Sequence, residues 1–211
     1  MAESLGNLAN KSKAQLVAMV NDLANENAVL KEIHKFVELT NKRLEKLERE
    51  QNRSLQYNRR NNIEISGIPA NIPTNDLEKE VIKLYQAADI TVHGQKLAHR
   101  DIEACHRIGK KNVTIVRFVN RKFAREGLVN GKNLKGKNVY GADSAVYINN
   151  SFCNEYRHIN FLIRKAKKDG KIHHWKVRNG INMVKVAENE EYVEITHRLD
   201  LVQLDIIADI D

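Results

Sequence analysis

Two prolines, two cysteines and one tryptophan in 211 residues narrow what this chain can be. Cys105 and Cys153 belong to no CxxC pair and cannot form a disulfide framework. The eight histidines have no thiolate spacing beside them, so no metal site is expected. Aromatics are only 6% of residues against 29% charged, a thin supply of large apolar groups for one core of this length, so separate modules are expected. No run of about 18 apolar residues occurs and the N-terminus has no apolar signal core, which argues against a membrane span or secretion and for an intracellular protein. Walker, GxSxG and HExxH motifs are missing, as is any clustered Asp/Glu/His constellation. Neither an enzyme nor a cofactor or small-molecule substrate is expected.

Positive charge is what the chain has in excess: 35 Lys and Arg against 27 Asp and Glu, a net of +8, which favours a polyanionic partner. The excess is unevenly spread. Residues 149–187 carry nine basic against two acidic side chains, whereas residues 188–211 carry Arg198 against eight acids. Charge segregated in this way suits a groove that follows phosphates.

The first segment, residues 12–60, reads as a coiled coil. Leu16, Leu23, Leu30, Val37 and Leu44 recur every seven residues, and Met19, Ile33, Thr40 and Leu47 fall three later, with Glu26 interrupting that second row. No Gly or Pro breaks the stretch from Leu16 to Gln51, leaving a helix of roughly 50 Å. A competing register uses Val20, Asn27, His34 and Asn41 and buries more polar groups; packing of the helix onto the chain's own domain is the other alternative. The expected oligomerisation residues are Leu16, Met19, Leu23, Leu30, Ile33, Val37, Leu44 and Leu47. A Leu-rich a row with Ile or Met at d favours a homotrimer over a dimer. A basic, polar junction with Arg49, Arg53, Arg59 and Arg60 follows.

From Asn62 the period changes. NIEISGIP reads as a strand, DLEKEVIKLYQAADI as a helix capped by Asn75, DIEACHRIG as a second strand with Ile102, Ala104 and His106 on one side, and Val113 to Phe118 as a central third. A helix from Arg121 and a fourth strand at Val139 or, preferably, near Ala145 complete β-α-β-β-α-β over residues 61–149. That is the order of RNA-recognition-type domains, whose stacking aromatics lie on strands one and three. Here strand one has none and strand three only Phe118, so base stacking on the sheet is not expected.

Residues 150–211 read as a small C-terminal α+β domain with an acidic tail, making the chain α+β as a whole. A helix with a Ser151 cap turns Phe152, Tyr156, Ile159, Ile163 and Ala166 inward and stops at Gly170. A hairpin at Asn179-Gly180, a further strand near Tyr192 and a closing helix or tail from Leu199 follow.

Taken together, NNIEISGIP, ACHRIG, VTIVRFVNRK, LKGKNVY, VYINNSF and WKVRNGINMVKV resemble the first-open-reading-frame proteins of non-LTR, LINE-type retrotransposons. The resemblance is to the insect-like branch, which shares its C-terminal part with the baculovirus few-polyhedra (FP) protein, and it spans roughly residues 12–205. It implies a homo-oligomer, usually a trimer, that binds single-stranded RNA and DNA and chaperones strand exchange. A cytoplasmic ribonucleoprotein is expected, with the nucleus as a second location left open. Carried over by position, the resemblance marks Arg60, Arg107, Lys110, Lys111, Tyr156, Arg157, Lys171, Trp175 and Arg178. Arg121, Arg164 and Lys168 join them from the charge pattern. Tyr156 and Trp175 are the candidates for base stacking, with a core anchor as the other reading of Trp175. Glu64 stands where mammalian relatives carry a cation, which argues against strand one as a contact. The cysteines of relatives with a zinc finger are missing. The alternative function is an FP-like structural or trafficking adaptor that makes little use of nucleic acid.

Overall fold

The computed structural model describes residues 12–109, 112–141 and 145–208. They fall into two compact units that divide between Glu48 and Arg49. One helix, α1 (Lys13–Tyr57), runs through 45 residues across that division. In the first unit no described residue is buried. The expected seam lies in the open, with Leu23, Leu30, Ile33 and Leu47 between 52% and 64% exposed. Val17, Val29, Phe36 and Leu39, outside both rows, are exposed as well.

The second unit begins with the last turns of α1 and continues into β1 (Asn62–Ser66), α2 (Leu77–Ala87), a short hairpin of β2 (Thr91–Val92) and β3 (Gln95–Lys96), β4 (Ile102–Ile108), β5 (Val113–Phe118), α3 (Arg121–Asn130) and β6 (Tyr147–Asn150). Four strands pair antiparallel in the order β4-β5-β1-β6. Alternation decides the faces: Ile63, Ile65, Val116 and Phe118 are buried beneath α2 and α3 with Leu77, Val81, Leu84, Tyr85, Phe123 and Ala124. Glu64, Ile115, Arg117, Tyr147 and Asn149 fall on the opposite, outer face.

Three local expectations change. The first turn of α2 is not capped by Asn75, because a 3₁₀ turn (Thr74–Asp76) precedes the helix and Asp76 occupies the cap position. A bulge between Ile102 and Ala104 breaks the alternation of β4, so Ile102 and Cys105 both reach the core side. Ser151 is not the cap of the next helix, which starts at Asn154; its hydroxyl is used elsewhere, as described below.

The hydroxyl of Tyr85 donates to the Phe123 carbonyl at 2.9 Å, and its ring lies 5.6 Å from Phe118. Gly127 makes that approach feasible: a Cβ there would come within 2.2 Å of the Tyr85 hydroxyl.

The C-terminal part comprises α4 (Asn154–Lys168), β7 (His174–Arg178), β8 (Ile181–Lys185), β9 (Val193–Ile195) and α5 (Arg198–Gln203). Asn179 and Gly180, at φ 53° and 77°, close the β7–β8 hairpin with the left-handed pair a two-residue turn requires. Ile159, Ile163 and Ala166 of α4 pack on Ile172, Val184, Ile195 and Leu201. Within this helix–sheet contact Asn160 donates to Asn182 at 2.7 Å and Asn182 donates to the Tyr156 carbonyl at 3.1 Å, so the buried amides are satisfied.

The end of α1 is tied to this region. The buried Gln56 amide donates to the Ser151 carbonyl (3.1 Å) and accepts from the Cys153 N–H (3.0 Å), and Arg49 pairs with Asp200 at 2.6 Å. The connection from β6 into α4 is thereby held by two hydrogen bonds from one side chain.

Candidate nucleic-acid interface

Helix α4 has two unlike faces. Tyr156, Ile159, Asn160, Ile163 and Ala166 are buried. Arg157, His158, Phe161, Arg164, Lys165 and Lys168 are exposed. With 3.6 residues per turn, positions 157, 161, 164 and 168 form one row along the helix, flanked by His158 and Lys165. Arg164 lies 5.4 Å over the ring of Trp175, which is half-buried on β7 and packed against the core below α4. Trp175 therefore serves as a core anchor while remaining in contact with a surface cation. Among the described residues Arg164, Lys165 and Lys168 have no acidic partner, in contrast to Arg157.

Arg157 reaches from α4 to the outer face of the four-stranded sheet. Its guanidinium meets a Glu64 carboxylate oxygen at 2.5 Å. Ser151 donates to the same oxygen at 3.3 Å and accepts from Arg59 at 3.3 Å. Arg157 from α4 thus pairs directly with the strand carboxylate, and Arg59, in the turn after α1, is linked to it through the Ser151 hydroxyl. Arg60, next in the chain, stays exposed, its guanidinium 3.8 Å from the Tyr57 ring. On the same outer face Arg117 pairs with Glu103 at 3.0 Å. The sheet surface is close to charge-balanced, and the α4 surface is not.

Two expected contacts have other work. Tyr156 is 0% exposed and packs with Phe152, Cys153, Val177 and Ile181. Desolvation pushes its hydroxyl up to about 12, and the oxygen has no hydrogen-bond partner among the described residues. A ring without an open face cannot stack on a base. Arg107, on the inner side of β4, donates to the carbonyls of Pro69 (2.6 Å), Ile72 (3.1 Å) and Ile68 (3.4 Å) and to Asn112. Its guanidinium fixes the loop after β1, leaving little of the fork for a phosphate.

The remaining candidates are dispersed. Lys110 and Lys111 lie outside the described residues. Arg121 opens α3, on the helix-covered side of the sheet away from Glu64. Lys171 donates to the Ile206 carbonyl at 3.0 Å and lines a concavity of about 430 Å³ with His158, Lys165 and Arg198. Arg178 is exposed at the hairpin end of β7. The structure therefore gathers Arg157, Arg164 and Lys168 along α4 with Trp175 beside them, leaves Lys171 at the flank of that row next to Lys165, and sets Arg107 and Arg121 apart.

Sequence reasoning missed Phe161, which is 63% exposed in the middle of the α4 row, and Tyr147, 61% exposed on the outer sheet face. For Phe161 the signal was available, since it falls two residues from both Ile159 and Ile163 and hence on the far side of the helix from them. Among the described residues no group of three His, Cys, Asp or Glu side chains is placed to hold a metal ion, and no helix is long and apolar enough to cross a membrane. No protein-family model and no curated protein sequence matches the chain.

Proposed function

We propose that this protein is a homo-oligomeric binder and chaperone of single-stranded RNA and DNA, working in a cytoplasmic ribonucleoprotein. The observation that carries the reading is the cationic row on α4, Arg164, Lys165 and Lys168, without acidic partners among the described residues and continued by Arg157 towards the first sheet. Phosphates exchange with counterions on such a surface, so each engaged cation adds a salt-dependent increment of affinity. The resemblance of the chain to retrotransposon first-open-reading-frame proteins points the same way, and catalysis has no part in the proposal.

The strand order β4-β5-β1-β6, with both helices on one face, supports an RNA-recognition-type module over residues 61–149, followed by a C-terminal module over 150–211. The uncovered apolar rows of α1 support a coiled coil over residues 12–60, three strands being favoured. Joining several weak cationic faces raises avidity through effective concentration.

An adaptor that recruits protein partners is the second reading, favoured by Val17, Val29, Phe36 and Leu39, which are exposed outside both seam rows. Filter binding of a single-stranded oligonucleotide separates the two. The proposal expects binding at low salt that weakens steeply as salt is added, and an absence of low-salt binding leaves the adaptor. Light scattering on a variant with Leu23, Leu30 and Val37 changed to Asp expects a monomer, and an unchanged oligomer mass contradicts the seam.

A further inference from the structure

We infer that Phe161 is a base-stacking residue, the aromatic centre of a single-strand track that runs along the exposed face of α4. The inference rests on the nucleic-acid reading above and adds how that surface holds bases as well as phosphates.

Helix α4 has no structural use for an apolar ring at this position. Its core row, Tyr156, Ile159, Ile163 and Ala166, is complete, and Phe161 lies roughly 200° round the helix from Ile159 and Ile163. A single exposed phenylalanine is ordinary on a protein surface. The surroundings of this one are not. The four residues one turn away, at i−4, i−3, i+3 and i+4, are Arg157, His158, Arg164 and Lys165, and all four are exposed.

The His158 ring is 6.5 Å from that of Phe161, and Arg164, on the next turn, lies over Trp175. From Arg157 to Lys168 the row covers about 16 Å.

This surround selects the occupant. An apolar protein surface docking on Phe161 would have to desolvate the cations around it without supplying counter-charge, a cost of the kind that makes unpaired interfacial charges unfavourable. A single strand brings both needed chemistries: a π-face for the ring and phosphates for Arg164, Lys165 and Lys168, with Arg157, which must first leave Glu64, at the other end of the row. Stacking on an exposed aromatic is indifferent to base identity, because every base has a π-face. The track therefore binds without marked sequence preference.

Fluorescence anisotropy of the full chain with a labelled single-stranded RNA, and with an abasic strand of equal length, tests the inference. Phe161→Ala and Phe161→Leu are expected to weaken RNA binding about tenfold with the slope against salt unchanged, Phe161→Trp to retain it, and all four proteins to bind the abasic strand alike. If wild type binds RNA with a steep salt dependence and Phe161→Ala binds equally well, stacking at Phe161 is wrong while the wider reading survives. If Phe161→Leu keeps full affinity and only Phe161→Ala loses it, the contact is apolar and the stacking assignment fails. A change in oligomer mass on Phe161→Ala hands the surface to a second copy and overturns the inference. If wild type does not bind RNA at low salt, the proposed function falls and this inference with it.

Discussion

The outer face of the four-stranded sheet and the exposed face of α4 carry the same residue types and put them to different use. On the sheet, Arg117 is matched by Glu103 and the incoming Arg157 by Glu64. On α4, Arg164, Lys165 and Lys168 form no ion pair among the described residues, although Asp169 follows Lys168 and lines a concavity with Lys165. The difference teaches that counting basic residues does not locate a polyanion site. A paired arginine must surrender an existing partner before it meets a phosphate, and an unpaired one surrenders only water and counterions.

Reversing charge in the two regions should break the comparison most sharply. Arg164→Glu with Lys168→Glu is expected to lower affinity for single-stranded RNA by about a hundredfold at low salt, since each change removes an attraction and adds a repulsion. Arg117→Glu on the sheet is expected to cost less than about threefold. Equal losses in the two regions, read by filter binding, would show that the sheet face shares the site.

A smaller effect separates scaffold from surface. Gly127→Ala drives a methyl group into the Tyr85 hydroxyl and is expected to cost about 1 to 3 kcal/mol in denaturant unfolding, without altering affinity where the protein is folded. An unchanged midpoint would mean that α3 moves aside freely.

The smallest effect concerns the buried side of α4. Tyr156→Phe removes a hydroxyl that lacks a partner among the described residues and is expected to raise stability by about 1 kcal/mol while leaving RNA affinity unchanged. Its pKa, raised from 10.0 to about 12 by desolvation, favours the neutral phenol in the folded state, so this group's contribution is complete below pH 10 and is lost as pH rises through 12. Unfolding midpoints measured across that window should fall less steeply for Tyr156→Phe than for wild type. A loss of RNA affinity in this variant would restore Tyr156 to the site.

Tyr156 also shows how far the sequence could be read. The 3.6-residue period placed it correctly on the inward row of α4, and positional resemblance placed it in the binding site; the burial of its ring decides for the period. The same period found the core of α4, and the two-residue period the alternation of β5, because both patterns repeat along the chain. Helical periodicity passed over Phe161, since a reading tuned to the buried row is silent about an apolar residue opposite it. The bulge after Ile102 lies between two strands and has no mark in either alone. The task of Arg107 depends on loop carbonyls 35 to 39 residues away in the chain, which no local pattern brings near. The link between Arg157 and Glu64 joins residues 93 positions apart and was equally hidden.

The most direct measurement of the central claim is the slope of the logarithm of affinity against the logarithm of salt concentration for single-stranded RNA, taken for wild type and for Arg164→Ala with Lys168→Ala. Removing two cations that each neutralise one phosphate of a single strand should make the slope shallower by about 1.4. A double variant whose slope and affinity both match wild type would contradict the assignment of the α4 face as the polyanion site.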